Sequence, residues 1–390
     1  MNVLGDFDMD FALSDEQRLL QHSVERLFAD HYAFEARKRY GQEPGGFSRA
    51  LWARYAELGL LGLPFDEQYG GSAGGPVETM IVMEQIGRAL ALEPYLATVV
   101  LAGGLIRLGG SEAMHAELIP QIAGGDLILA FAHSERQSRY DLAAIAARAR
   151  RDGAGFVIDG AKSLVLHGDS AKKFVVSARL AGGQNDRDGV GLFLVDAAAN
   201  GVSTRGYATV DGQRAAEVTF SSVRVEADAA IGEPGAAFPL IERIADTAIA
   251  ALAAEAVGAM AAMHEATVDY MKTRKQFGVT IGSFQALQHR AADMLIALEQ
   301  ARSMAMLATM MAADDDVRER RQAVSAAKVQ IGRSGRIVGQ GAVQIHGGIG
   351  MTMETKVGHY FKRLTTIDTM FGDADHHLGI VAEGGGLIAA

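Results

Sequence analysis

The sequence predicts an α+β protein of three domains: a helical N-terminal domain over residues 1–126, a small antiparallel β-barrel over 127–236 and a C-terminal four-helix bundle over 237–390. Three features carry this division. Apolar residues recur at helical spacing in the first third, short β-rich runs punctuated by turns follow, and beyond residue 239 the chain has no proline. A chain of 390 residues also exceeds what one hydrophobic core usually supports.

The N-terminal domain opens on Ser14 followed by Gln17, the pattern of a capping box, after which Leu20, Val24, Leu27 and Phe28 fall on one helical face. Further helices, interrupted by turn signals at Leu63-Pro64 and Tyr69-Gly70-Gly71, continue to about Asp126. In the middle third, Phe156-Val157-Ile158, Phe174-Val175-Val176, Leu192-Phe193-Leu194-Val195 and Val218-Thr219-Phe220 are runs of strand formers separated by turn residues. Residues 182–189 read as an exposed loop between two of these strands and receive no function. The last third is rich in good helix formers, and Leu287, Met294, Leu298, Ala301, Ala305 and Ala308 repeat at spacings of three, four and seven.

A net charge of −10 argues against a general nucleic-acid surface, which needs clustered Lys and Arg. The absence of cysteine excludes disulfides, thiolate nucleophiles and Cys-ligated metal sites, and fits a reducing cytoplasm. Asp6, Asp8 and Asp10 stand where a secretory signal would be basic and then apolar, so export is not expected. Residues 244–263 have spanning length, but they are Ala-rich and carry Asp246 and Glu255, so they read as a buried bundle helix and not as a membrane segment.

Two motifs mislead. Gly155, Gly160, Lys162 and Ser163 approach a phosphate-binding loop, but one extra residue precedes the Lys and the segment lies among predicted strands, without the strand-to-helix turn such a loop requires. Asp373, Asp375, His376 and His377 have metal-ligand residue types, yet adjacent histidines on a helix point about 100° apart, so no metal site is assigned.

Three strings in the last third are specific when taken together. They are Tyr270-x3-Arg274-x2-Phe277-Gly278, Phe284-Gln285, and Gln344-Ile345-His346-Gly347-Gly348-Ile349-Gly350. The chain resembles the acyl-CoA dehydrogenase family over essentially its whole length, in domain order as well as in these strings. The resemblance implies FAD as cofactor, with its adenosine and diphosphate half held by Arg274, Phe277, Gln285, Gln344, Gly347 and Gly348. A guanidinium suits phosphate oxygens, and glycines let backbone amides approach them. In the family these contacts cross a subunit interface, which implies an oligomer.

The β domain resembles the family's flavin-contacting segments less closely. Phe131 and Ser134, in Ala130-Phe131-Ala132-His133-Ser134-Glu135, fall at flavin-binding positions, Ser134 where a Thr hydroxyl bonds the flavin. In Gly160-Ala161-Lys162-Ser163-Leu164-Val165-Leu166-His167-Gly168, Leu164 replaces a Trp and Leu166 a Thr. The family reaction removes an α-proton from an acyl-CoA thioester with a carboxylate while hydride leaves the β-carbon for the flavin. Counting without gaps from Gln344 places Phe371 at the position of that carboxylate, and the alternative family position is Ala248. Asp373 and Glu255 are the substitute candidates for the base, and Asp246 matches a family Asp that contacts the CoA moiety.

The half serving a neighbour's FAD is thus close to the family pattern, and the half serving this chain's own pocket is eroded. The resemblance points to the small subunit of a heteromeric acyl-CoA dehydrogenase of the pimeloyl-CoA type, a heterotetramer with a second acyl-CoA dehydrogenase chain. Electron-transfer flavoprotein is the implied electron acceptor. A homo-oligomeric enzyme using Asp373 or Glu255, and a structural subunit without cofactor, are the other readings. The acyl group cannot be read from a motif.

Overall fold

The computed structural model describes residues 13–385, so residues 1–12, with Asp6, Asp8 and Asp10, and residues 386–390 lie outside the described part. The chain begins with α1 (Asp15–His31), whose Ser14 and Gln17 form both bonds of the capping box and which buries Val24, Leu27 and Phe28. The helices α2 (Phe34–Tyr40), α3 (Arg49–Glu57) and α4 (Pro76–Ala89) follow. A buried π-helical segment, Leu96–Gly103, then runs into α5 (Gly104–Gly109), and α6 (Glu112–Ala123) ends this region.

Eight strands come next: β1 (Leu129–Ala132), β2 (Arg148–Asp152), β3 (Gly155–Leu166), β4 (Lys173–Arg179), β5 (Val190–Asp196), β6 (Val202–Ala208), β7 (Arg214–Val225) and β8 (Ala230–Gly235). They form one sheet in the order β6-β7-β3-β2-β4-β5-β8, with β1 on β4. The sheet curls around its own core, since Phe156 on β3 meets Phe193 on β5 and Phe174 on β4 meets Phe220 on β7. The expectation of a purely antiparallel barrel needs correction, because β1 and β2 each pair with β4 in parallel. The excursion through the β2–β3 hairpin supplies the long connection that a parallel β1–β4 pair requires. The segment that approaches a phosphate-binding loop lies within the single strand β3, and its Lys162 is buried against Glu135 at 2.7 Å.

The bundle consists of α7 (Phe238–Thr273), a hairpin of β9 (Lys275–Gln276) and β10 (Val279–Thr280), then α8 (Gln285–Met311), α9 (Val317–His346) and α10 (Lys356–Thr369). A short fifth helix, α11 (Ala374–Glu383), packs on α9. Helix α7 is long and apolar enough to span a membrane, but 89% of its most apolar window is buried inside the fold. Its closest neighbour, α4, crosses it at glycines: a Cβ on Gly87 would come within 1.9 Å of the Glu255 carbonyl oxygen, and one on Gly258 within 1.8 Å of that of Glu84. No larger residue permits that backbone approach.

One buried guanidinium connects the three regions. Arg363 on α10 donates to both oxygens of Glu255 on α7, at 2.6 and 2.8 Å, and to Asp211 in the β6–β7 turn at 2.8 Å. The Asp211 carbonyl in turn accepts from Arg37 on α2, which also donates to the Leu90 carbonyl. Burial alone would push the Asp211 carboxyl up, but Arg363 and the Thr209 hydroxyl hold it below the usual carboxylate range. Removing one partner of a buried ion pair strands the other, at a cost of roughly 3–5 kcal/mol. Arg363→Met should therefore lower the unfolding free energy by about that amount, read from denaturant midpoints. Neutralising both carboxylates in the same chain should restore most of it, and a loss below about 1 kcal/mol in the single variant would contradict this role.

Candidate functional site

A cleft of about 660 Å³ opens between the β domain and the start of α7. Its β-domain wall is the segment after β1, with Tyr140 and Asp141, joined by Asn185 and Arg187 from the β4–β5 loop. The opposite wall presents Glu242, Asp246 and Ile249 at helical spacing, and Phe371 and His376 close the C-terminal side. Arginines hold the acidic residues in place: Glu242 accepts from Arg187 and from Arg321, the latter at 2.7 Å, and Asp246 accepts from Arg320 at 2.9 Å. Burial pushes the Asp246 carboxyl up, against the pull of Arg320.

Phe371 occupies a tightly fastened turn between α10 and α11. Its own φ of +57° and that of Gly372, +108°, reverse the chain, and a Cβ on Gly372 would strike the rings of His376 and His377. Lys328, pushed down to about 8 by burial, donates to the carbonyls of Ile367 and Asp368 at the end of α10. His377 bonds the Phe371 carbonyl at 2.9 Å and the Ser325 hydroxyl at 3.0 Å. The Phe371 ring itself packs beside Ile249 and Ala250. Ala248, the alternative position expected for the base, is fully buried.

The two candidate carboxylates have structural partners. Both oxygens of Glu255 are taken by Arg363, with the residue 2% exposed. Asp373 is the N-cap of α11, where it accepts from the His376 amide at 2.9 Å, and it also accepts from the Tyr140 hydroxyl at 3.2 Å. The amide bond, outweighing burial, holds its carboxyl below the usual range, which makes it a weaker proton acceptor. His376 and His377 stand edge to face at 87°, so they do not converge on one point.

The positions expected to face the flavin lie where β1 meets β3. Phe131 is buried and stacks on His133 at 5.1 Å, whereas Ser134 is exposed and accepts from the Ser163 amide through its carbonyl at 2.8 Å. Leu164, at φ +52°, sits in the register shift between Lys162 and Val165 and is 49% exposed. Leu166 turns inward, where with Glu93, Tyr95, His167 and Met370 it lines a cavity of only about 30 Å³.

The bundle strings come together at one end of the molecule. Arg274 caps α7, and Phe277 and Gly278, both at positive φ, form the two-residue turn of the β9–β10 hairpin. Phe277 is 91% exposed and meets Phe284, the residue before α8, while Tyr270 stacks on His346 at 4.4 Å and so joins the first string to the third. Arg274, Gln285, Gln344, Gly347 and Gly348 are all exposed, and Arg274 has no ion-pair partner among the described residues. Gly347 lies at φ +64°, where glycine is favoured, whereas a Cβ on Gly348 would meet nothing within 4 Å, so packing inside this chain does not explain its missing side chain. An unpaired guanidinium beside open glycines fits a diphosphate.

Several cleft residues escape a reading of the sequence. Glu242, Arg187 and Arg321 are brought together only by the tertiary fold, and Arg187 lies in the loop to which the sequence attaches no function. The loop is nonetheless ordered from within by Arg179, which donates to the carbonyls of Gln184, Asp186 and Asp188.

Glu93, next to the small cavity, is buried among the hydroxyls of Tyr32 and Tyr55, and burial pushes its carboxyl up to about 7. The unfolded chain loses that proton near pH 4.3, so the folded state is favoured below that pH and loses the contribution as pH rises through about 7. Glu93→Gln cannot ionise, and its stability relative to wild type should rise by about 3 kcal/mol between pH 4 and pH 8, read from urea midpoints. A difference independent of pH would mean that Glu93 loses its proton at the same pH in the folded and the unfolded chain.

Residues 14–126, 130–223 and 240–386 match, in turn, the descriptions "Acyl-CoA dehydrogenase, N-terminal domain", "Acyl-CoA dehydrogenase, middle domain" and "Acyl-CoA dehydrogenase, C-terminal domain". The chain is 32% identical over 361 residues to the acyl-CoA dehydrogenase FadE12 of Mycobacterium tuberculosis, covering 89% of this chain and 90% of the relative. Among solved structures it is similar to the ChsE4-ChsE5 complex from Mycobacterium tuberculosis, with TM-score 0.86, 25% identity, and 98% of this chain and 100% of that chain covered. The FAD complex of PigA is similar at TM-score 0.87 and 25% identity, covering 96% and 98%.

Proposed function

The chain belongs to the acyl-CoA dehydrogenase family, and on that premise we propose that it is the FAD-contacting but base-deficient subunit of a two-chain acyl-CoA dehydrogenase. The observation that carries this reading is Phe371, an apolar side chain in the fastened turn where the family base belongs, with Glu255 and Asp373 both committed to other partners. An aromatic ring cannot accept an α-proton, and a carboxylate held bidentately by a buried guanidinium is a poor substitute. The similarity to one chain of the ChsE4-ChsE5 complex supports a partner of the same family.

FAD, when bound, supplies the acceptor for hydride from the β-carbon. Within this chain, Arg274 and the backbone at Gly347 and Gly348 would hold the diphosphate, with Phe277, Gln285 and Gln344 around the adenosine half, for a flavin seated mainly on the neighbouring subunit. Asp246, with Arg320 behind it, would contact the CoA moiety in the main cleft. Phe131 and Ser134 would lie on the flavin side of this chain's own pocket, where Leu164 and Leu166 give it no indole shield and no second hydroxyl. A homo-oligomer working through Asp373 or Glu255 would first have to release those carboxylates. We also propose that the functional units divide near residues 126 and 236.

Arg274→Ala should weaken FAD retention in the complex by roughly 1.5–3 kcal/mol, measured by flavin released on dilution, and Ser134→Ala should matter less. The reverse order would mean that this chain's own β domain is the main flavin holder. In anaerobic single turnover with a saturated acyl-CoA, the isolated chain should reduce flavin slowly if at all, since base catalysis supplies roughly a hundred- to ten-thousand-fold. Rapid reduction by the isolated chain, lost in Asp373→Asn or Glu255→Gln, would replace this reading with a competent homo-oligomer.

A further inference from the structure

A second cavity, of about 190 Å³, lies on the far side of α7 from the main cleft. Glu242, Asp246 and Ile249 face the main cleft, whereas Arg243, Thr247 and Ala251 face this one. At about 100° per residue these sets centre roughly 130° apart around the helix, and the two linings share no residue. The far cavity is walled by Met80 of α4, Val99 and Val100 of the π-helical segment, and Ile244 and Ala251 of α7. Besides two arginines its polar side chains are Thr79, Thr247 and Thr309. The hydroxyls of Thr247 and Thr309 are bonded to the carbonyls of Arg243 and Ala305 in their own helices.

Two guanidiniums, those of Arg107 and Arg243, also line this apolar space. Arg243 is accounted for, donating to the carbonyls of Ala313 and Asp314 and lying 3.5 Å from the exposed Asp315. Arg107 has neither a hydrogen bond nor an ion pair among the described residues, and burial and the nearby Arg243 both lower its affinity for its proton. Glu78, in the first turn of α4, is the nearest acid by sequence to that wall, and it is engaged with the Gly75 amide and with Gln17. Arg107 is exposed at the rim of the cavity, so its guanidinium is held by water alone and is free to exchange that water for an anion. A planar guanidinium pairs best with a carboxylate or phosphate, and the apolar walls select an aliphatic chain behind that head.

We propose that this cavity binds an aliphatic carboxylate of short to medium length, its head on Arg107 and its chain between Val100 and Ala251. The site is independent of the flavin and CoA contacts proposed above, and its ligand is a free acid, not a thioester. It provides a place where a fatty acid could act on the chain from outside the main cleft.

The test uses octanoate titrated calorimetrically into the purified full chain. Wild type should bind about one equivalent. Arg107→Gln should weaken binding at least tenfold by removing the head contact, and Ala251→Phe, which fills the chamber, should do the same. Thermal unfolding of both variants, followed by circular dichroism, establishes that they are folded, and the partly exposed Arg107 keeps the test usable if Ala251→Phe is not. No binding by wild type, or undiminished binding by a folded variant, would overturn the proposal.

Discussion

Arg363 is the residue on which the arrangement of this molecule depends. It carries a buried charge from α10 into the junction of the three regions and is neutralised by one carboxylate from α7 and one from the β domain. Such a group is expensive to desolvate, and the cost is offset only when both acids and their surroundings are in register. The junction is therefore specific more than it is strong: hydrophobic packing holds α4 against α7, whereas the ion cluster fixes where the β6–β7 turn sits over the bundle. The walls of the main cleft, which come from those same two regions, inherit that alignment.

The same cluster bears on the chemistry. A glutamate in the middle of an apolar helix invites a catalytic reading, but Glu255 spends both oxygens on Arg363, the residue that reaches across to the β domain. Asp373 caps a helix, and Asp246 is braced by Arg320. Around Phe371 the protein has invested in rigidity, with Lys328 and His377 fixing the backbone of the turn. What is well built in this chain is a scaffold around the cleft and an exposed, glycine-lined bundle end. On the proposed reading the cleft carboxylates Glu242 and Asp246 stay paired with arginines, and the α-proton acceptor comes from a second chain.

Much of the fold is legible in the sequence, because period and turn chemistry act locally. Ser14 and Gln17 form the capping box their spacing implies, and Met294, Leu298, Ala301, Ala305 and Ala308 are the buried stripe of α8. Strands were harder where they lack an apolar face. In β2 only Ala149 points inward among charged residues, and most of the edge strand β6 is exposed, so neither carries a β-rich run. The parallel pairing of β1 with β4 has no local signal at all. Short strings single out Arg274, Gly347 and Phe371 as candidates, whereas the partners of Glu255 and Asp211 lie 108 and 152 residues away and are visible only in three dimensions.

The central claim is that this chain completes a flavin site belonging to its neighbour and does not run one of its own. The most direct measurement is the number of FAD molecules per chain in the assembled complex, obtained by native mass spectrometry and checked against flavin absorbance after denaturation. The account predicts one FAD for each pair of unlike chains. One FAD on every chain, together with full occupancy of the isolated chain, would contradict it.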